Sequence, residues 1–327
     1  IFDDVRFHPS WPADQANNWY AAEMSALNFN DNCLDLYIVP TQPGRNVEFY
    51  TDPKTAYVNI INHCKTKTAK PNTSWAARTP GTNDITLKGE CYAKQQIFVT
   101  IDRPSAYFGF LLAEYLLDHN IEIKGKLIIK KIRDDLGHPP VNLDPLLIAQ
   151  TPLQEVLIRC NQRSLNLAAE CLFKTLGAYH NLPADFVCLQ GSWDTGKAAV
   201  EQFLNNLNIP SSQYRIDDGC GLSRNNLLSA RCITTILKHM HQHPAAEMFR
   251  QSLATPGKGT LRKRAGLNGN GLEDRIFAKT GYITGVRALS GYCQSQSGQW
   301  LAFSILTNQS NTMSKQVIDQ IVTILME

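Results

Sequence analysis

The hydrophobic period of this chain changes once, and that switch limits its possible folds more than any other feature. Before residues 133–145 the apolar residues alternate in short, β-branched runs, as in Cys33-Leu34-Asp35-Leu36-Tyr37-Ile38-Val39, which stops at Pro40. Tyr57-Val58-Asn59-Ile60-Ile61 and Gln96-Ile97-Phe98-Val99-Thr100-Ile101 are similar. Turn-forming stretches such as Thr41-Gln42-Pro43-Gly44 and Pro80-Gly81-Thr82-Asn83 separate them. One helix is expected over 105–119 with Ser105 as its N-cap, and its apolar run, 106–117, is broken only by Glu114 and reads as a buried helix. Residues 121–132 then read as a strand. Their lysines Lys124, Lys126, Lys130 and Lys131 suit the solvated face of an edge strand better than an anion-binding patch.

Beyond a loop carrying Asp134, Asp135, Gly137, Pro139 and Pro140, the period becomes helical. Leu153, Val156, Leu157 and Cys160 fall at i, i+3, i+4, i+7, as do Val200, Phe203, Leu204 and Leu207, and then Ile233, Ile236, Leu237 and Met240. Strands are expected at 275–279, 286–293 and 301–306, the last two joined by a polar turn at Ser297-Gly298. Val317, Ile318, Ile321, Val322 and Leu325 mark a closing amphipathic helix. Length agrees, since 327 residues suit about two domains. The expected class is α+β: a strand-rich domain over 1–140, and over 141–327 an antiparallel sheet covered by helices. There is no internal repeat.

Several function classes fall away. Lys and Arg number 32 against 29 Asp and Glu, so no basic footprint points to nucleic acid. With 43% apolar and 19% charged residues a core can form. No stretch nears the ~18 apolar residues of a membrane-spanning helix. The nine cysteines include no C-x-x-C pair, which argues against a zinc ribbon. His239, His241 and His243 invite a metal reading, but only His239 and His243 share a helical face. Pro244 follows at once, so cations at a helix C-terminus are the better account. No metal and no cofactor is expected.

Two short motifs bear on chemistry. Ser164-Leu165-Asn166 lies between two helical patterns, where Ser and Asn commonly serve as caps. Lys279-Thr280-Gly281 closes the strand expected at 275–278. Each is weak alone; their order is informative, with S-x-N between helices, K-T-G on a later strand, then a hairpin and a terminal helix. That is the arrangement of the penicillin-recognising serine acyl-transferases. Gly191-Ser192-Trp193-Asp194, Asp218-Gly219-Cys220-Gly221-Leu222-Ser223-Arg224 and Gly259-Thr260-Leu261-Arg262 lie between the motifs. Phe277-Ala278-Lys279-Thr280-Gly281 runs on to Leu289-Ser290-Gly291-Tyr292. Upstream, Ser25-Ala26-Leu27-Asn28 leads through Asn30-Asp31-Asn32 into a strand. Together these resemble the class C low-molecular-mass penicillin-binding proteins, the D-alanyl-D-alanine carboxypeptidase/endopeptidase family, along almost the whole chain.

The resemblance implies a β-lactamase-like serine transpeptidase domain with a strand-rich insertion, and no cofactor. It implies a peptidoglycan stem peptide ending in D-Ala-D-Ala as substrate, β-lactams as acylating inhibitors, and a periplasmic or extracytoplasmic location. Lys279 and Thr280 would bind the terminal carboxylate, and Gly281 would clear the strand edge. The backbone N–H of Tyr282 would form half of an oxyanion hole. Ser164 would relay a proton, and Asn166 would orient the active-site lysine and the substrate amide. Tyr282 departs from the family, which more often has a small hydroxyl residue there. Cys220 departs as well, standing where Ser is more usual, and with no partner base it is read as part of a structural turn. A class A β-lactamase has no place for the strand-rich first part.

The nucleophile motif S-x-x-K is missing: no serine of this sequence is followed by lysine at the third position. Thr51-Asp52-Pro53-Lys54 and Thr260-Leu261-Arg262-Lys263 have the spacing with threonine, but the first holds a proline and the second belongs to a family loop. The chain opens on Ile1 rather than Met, and Ile1-Phe2-Asp3-Asp4 resembles a stretch inside the family's insertion. The expectation is an N-terminally incomplete chain that begins after its nucleophile and is inactive alone. The alternative is a non-catalytic relative that binds peptidoglycan peptides or serves as a scaffold.

Overall fold

The chain divides into two compact units. The computed structural model describes residues 1–130, 132, 138, 148–180, 190–267, 271–311 and 313–327. One unit comprises Ile1–Val141 with Asn181–Ser192, the other Asn142–His180 with Trp193–Glu327. The expected loop at 133–145 lies outside the described residues, His138 apart.

In the first unit β1 (Cys33–Val39), β2 (Glu48–Asp52), β3 (Asn59–Asn62), β4 (Trp75–Arg78), β5 (Asp84–Lys88) and β6 (Gln95–Thr100) make two three-stranded sheets. The first is antiparallel in the order β2-β1-β6. In the second, ordered β3-β5-β4, β3 runs parallel to β5. Alternation along β1 sends Leu34, Leu36 and Ile38 into the core, so Asp35 and Tyr37 fall on the other face. Leu36 and Ile38 pack with Val47, Cys64, Leu87 and Cys91; Leu34 packs with Ile85, Val99, Ile101 and Tyr107. The buried Arg78 guanidinium pairs with Glu23 at 3.3 Å and Asp102 at 3.8 Å.

Three local expectations change here. Helix α1 (Pro104–Asp118) carries Pro104 in its first turn and follows Arg103 at φ 54°, so Ser105 is inside the helix and caps nothing. Its hydroxyl instead lies 2.5 Å from that of Ser25. The helix is not buried either. Apolar residues ring it instead of lining one stripe, so Tyr107 is covered while Leu112, Tyr115 and Leu117 are exposed. Residues 121–130, read as a strand from their alternation, form no strand. No described strand pairs with them, and a strand exists only through a ladder partner. Ile128 is left 75% exposed. Lys124, Lys126 and Lys130 are exposed with it, and Lys131 lies outside the described residues.

The second unit opens with α2 (Leu153–Gln162), α3 (Asn166–Tyr179), α4 (Trp193–Asn206), α5 (Ala230–Gln242) and the short α6 (Ala246–Ser252). Then come β7 (Ile276–Ile283), β8 (Val286–Gln294), β9 (Trp300–Asn308) and α7 (Ser314–Leu325). The three strands form one antiparallel sheet in sequence order, so β7 is an edge. One face, with Ile276, Ala278, Leu289, Cys293 and Phe303, packs on Ile318 and Val322 of α7. On the other, Tyr292 packs with Leu237 of α5 and donates its hydroxyl proton to the Leu237 carbonyl at 2.7 Å. A Cβ at Gly291 would sit 2.1 Å from the Phe277 carbonyl oxygen, so β7 and β8 meet there only without a side chain. Helices α3 and α4 are equally close: a Cβ at Gly196 would lie 2.6 Å from the Phe173 carbonyl. The sheet, its hairpin and the helix that covers it follow the sequence reading.

Candidate active site

Ser164 sits at the break between α2 and α3 with φ 56°, the left-handed conformation a helix end usually gives to glycine. For a residue with a Cβ this costs about 1–2 kcal/mol, and such strain persists only where the surroundings fix it. The Leu165 N–H donates to the Arg159 carbonyl at 3.2 Å and closes the end of α2 around Ser164. Asn166 is the first residue of α3, and its side chain is half-buried. S-x-N thus forms the junction itself. Leu165 occupies the N-cap position without a side-chain bond, so the motif does not serve as the cap its residue types suggest.

Lys279 lies within β7, which continues past K-T-G to Ile283 instead of ending there. Its ammonium donates to Ser164 Oγ at 2.7 Å and to the Thr280 carbonyl at 2.7 Å. Two motifs 115 residues apart therefore meet. Burial lowers the Lys279 pKa, and the neighbouring thiols of Cys160 and Cys220 act in the opposite sense. No acidic side chain among the described residues pairs with it. A cation desolvated in this way favours an anion beside it, because the pairing restores what burial removed.

The other K-T-G residues divide by strand parity. Lys279 and Gly281 share a face with Ser290 and Ala288 of β8, while Thr280 stands in the row of Leu289 and Ile305. The Thr280 carbonyl meets the Lys279 ammonium, and the Thr280 side chain is half-buried. Gly281 and Tyr282 are exposed on the edge strand. The Tyr282 ring, 67% exposed, lies under the Arg287 guanidinium, whose central carbon is 4.6 Å from the ring centroid. Ala278 on this edge already exchanges backbone bonds with Ala254, so an extended peptide can add to β7 only past it, at Thr280 to Tyr282.

Behind this contact lies a clamp that the motifs did not announce. Glu170, fully buried on α3, accepts three hydrogen bonds: from Trp193 Nε1 at 2.7 Å, from Gly219 N–H at 3.0 Å and from Cys220 N–H at 2.7 Å. Burial, and secondarily the charge of Asp218, raises the Glu170 pKa. Asp218 accepts from the N–H groups of Gly221 at 2.7 Å and Ser223 at 2.6 Å, which shapes the turn. Gly219 allows the fit, since a Cβ there would lie 2.6 Å from the Phe173 Cβ. The ammonium of Lys174, also fully buried, sits 3.7 Å from the centroid of the Trp193 ring. Glu170, Asp218 and Cys220 bring ligand atoms within 4.8 Å of one another. Both carboxylates are already engaged by N–H donors, so the trio works as a hydrogen-bond clamp. Burial drives the Cys220 thiol well above its ordinary value, which makes it a poor nucleophile. One sequence signal could have found part of this: Asn166, Glu170 and Lys174 recur every four residues, one face of a helix that starts in the motif.

Helices around an antiparallel sheet, with the S-x-N serine bonded to the K-T-G lysine, define a penicillin-recognising serine hydrolase fold. The sequence model of the D-Ala-D-Ala carboxypeptidase 3 (S13) family matches residues 1–327, and the chain belongs to that family. Among its relatives is the D-alanyl-D-alanine carboxypeptidase of Actinomadura sp. (strain R39), 29% identical over 323 residues, which cover 94% of this chain and 58% of the relative. The penicillin-sensitive carboxypeptidase A of Dictyostelium discoideum is 26% identical over 343 residues, 98% of this chain and 63% of its own length. The chain therefore spans about three fifths of these curated relatives. The crystal structure of penicillin binding protein 4 (dacB) from Haemophilus influenzae superposes with a TM-score of 0.76 at 20% identity, over 100% of this chain and 73% of that one. A second crystal structure of that protein is a complex with a β-lactam. No helix among the described residues is long and apolar enough to cross a membrane.

Proposed function

We propose that this chain supplies the S-x-N and K-T-G walls of a serine-type D-Ala-D-Ala carboxypeptidase/endopeptidase that acts on peptidoglycan stem peptides outside the cytoplasmic membrane. The observation that carries this reading is the 2.7 Å bond from Lys279 to Ser164, made by a half-buried cation with no acidic partner among the described residues. A substrate carboxylate provides that partner, and the Lys279–Ser164 bond gives a path for a proton between attacking oxygen and leaving amine. Asn166, two residues from Ser164, orients the substrate amide. The edge of β7 at Gly281 and Tyr282 receives the peptide as an added strand, with the Tyr282 N–H as an oxyanion donor. Thr280 supplies a hydroxyl donor to the same substrate carboxylate, and its carbonyl holds the Lys279 ammonium in place. The strand-rich residues 1–140 act as an inserted domain, and 141–327 form the major part of the peptidase domain.

The attacking serine, with its lysine one helical turn on, comes from a segment outside these 327 residues. β-Lactams acylate the enzyme once that segment is present. The test is labelling by a fluorescent penicillin. The 327-residue chain should take up no covalent label, whereas the chain extended by its upstream-encoded residues should. Lys279→Ala in the extended protein should cut the labelling rate by at least about 30-fold, the ~2 kcal/mol cost of removing one partner of a desolvated charge pair. Unchanged labelling of that variant would remove Lys279 from the site. An upstream region without S-x-x-K would leave the non-catalytic peptide-binding reading.

A further inference from the structure

The antiparallel β2-β1-β6 sheet buries one face and displays the other. On the displayed face Tyr50, Tyr37 and Gln96 form one row, and Asp52, Asp35 and Phe98 form the next. The Tyr37 and Tyr50 rings are stacked, with centroids 4.8 Å apart and planes 8° from parallel. Gln96 Nε2 donates to Asp35 Oδ2 at 2.9 Å and to the Tyr37 hydroxyl at 3.2 Å, and Asn30 Nδ2 donates to Asp35 Oδ1 at 3.2 Å. The Lys94 ammonium lies 5.9 Å from the Tyr37 ring centroid and 5.5 Å from that of Tyr50. Even so, Tyr50 is 48% exposed and Phe98 45%.

We propose that this face binds a neutral aminosugar glycan. A pyranose ring has an apolar C–H face and a rim of hydroxyls. Exposed aromatic rings stack on the first, and oriented carboxylate and amide groups bond the second. The two rows offer both in alternation, with Asp35 held in place by Gln96 and Asn30. Asp35 stands directly opposite Asp52, a like-charge cross-strand pair that disfavours the sheet. Such a pair has a use where hydroxyl donors come between the carboxylates. Charge narrows the ligand further: Asp35, Asp52 and the neighbouring Glu48 face one Lys94, so a polyanion is repelled. Tyr50 and Phe98 are two strands and two residues apart, about 12 Å from strand spacing and rise. That separation suits successive rings of a sugar chain, not one monosaccharide. The choice of an aminosugar rests on the proposed peptidase reading, since stem peptides hang from such a polymer.

Calorimetric titration of the 327-residue chain tests this, with the N-acetylglucosamine tetramer as probe and cellotetraose, the N-acetylglucosamine monomer and oligolysine as comparators. The tetramer should bind, Tyr50→Ala and Phe98→Ala should each weaken it about tenfold, and the monomer should bind at least about tenfold less well. An unshifted thermal midpoint in both variants shows that folding is not what changed. Three results would overturn the proposal: no heat from the tetramer, tetramer binding indifferent to both substitutions, or binding of oligolysine in its place. Equal affinity for cellotetraose would overturn the aminosugar assignment. Penicillin labelling of the extended protein reads the other site and should be unaffected by Tyr50→Ala, so failure here and failure of the peptidase reading are distinguishable.

Discussion

Among the described residues, two three-stranded antiparallel sheets are built to different ends. The β7-β8-β9 sheet is covered on one face by α7 and on the other by α5, so only its edge is available, and Lys279 to Tyr282 occupy that edge. The β2-β1-β6 sheet is covered on one face, and its other face carries the tyrosine pair and the carboxylates. Covering both faces leaves a sheet its backbone edge with which to meet a ligand, whereas covering one leaves it side chains. The first arrangement suits reading an extended peptide through N–H and C=O groups. The second suits a ligand that is recognised through rings and hydroxyls.

Substitutions can break this contrast. The largest effect is expected at Gly291. Gly291→Ala places a carbon 2.1 Å from a backbone oxygen within the covered sheet, and should cost about 3 kcal/mol or more by urea denaturation. Tyr292→Phe should cost about 1 kcal/mol by the same measurement, since it removes the bond to the Leu237 carbonyl and leaves that acceptor buried. On the open sheet Tyr50→Ala should alter stability by no more than about 0.5 kcal/mol, because the ring is half exposed already. A loss there as large as at Tyr292 would show that the open face is part of the core.

A smaller effect comes from pH. Burial lowers the Lys279 pKa in the folded protein, so unfolding returns the amine to its ordinary value and takes up protons between the two. Stability therefore rises with pH across that interval, and Lys279→Met should flatten the rise in alkaline melting curves. A bound carboxylate reverses the sense, since it favours the charged amine. Affinity for an anionic ligand should accordingly fall as pH climbs through the lowered value.

The sequence made the covered sheet legible because burial on both sides writes a dense apolar pattern over 276–308, and the hairpin turn at Ser297-Gly298 adds its own signal. The S-x-N and K-T-G pair was legible through order along the chain, and the structure joins them in one bond. What escaped depends on neighbours that no local pattern encodes. Residues 121–130 alternate like a strand but meet no partner among the described strands. Helix α1 is as apolar as a buried helix and yet lies with one side exposed, because its apolar residues face all directions. The four-residue spacing of Glu170 from Asn166 and Lys174 was legible, but its three distant donors were not.

Those donors have a consequence for how the second unit assembles. They stand 23, 49 and 50 residues away in sequence from the carboxylate they share. Each of these contacts needs the intervening chain closed into a loop, so all three depend on the unit being folded. Glu170 thus ties α3 and the first residue of α4 to Gly219 and Cys220. Their amide hydrogens should exchange with solvent together, at a rate near that of whole-unit opening, although they belong to a loop.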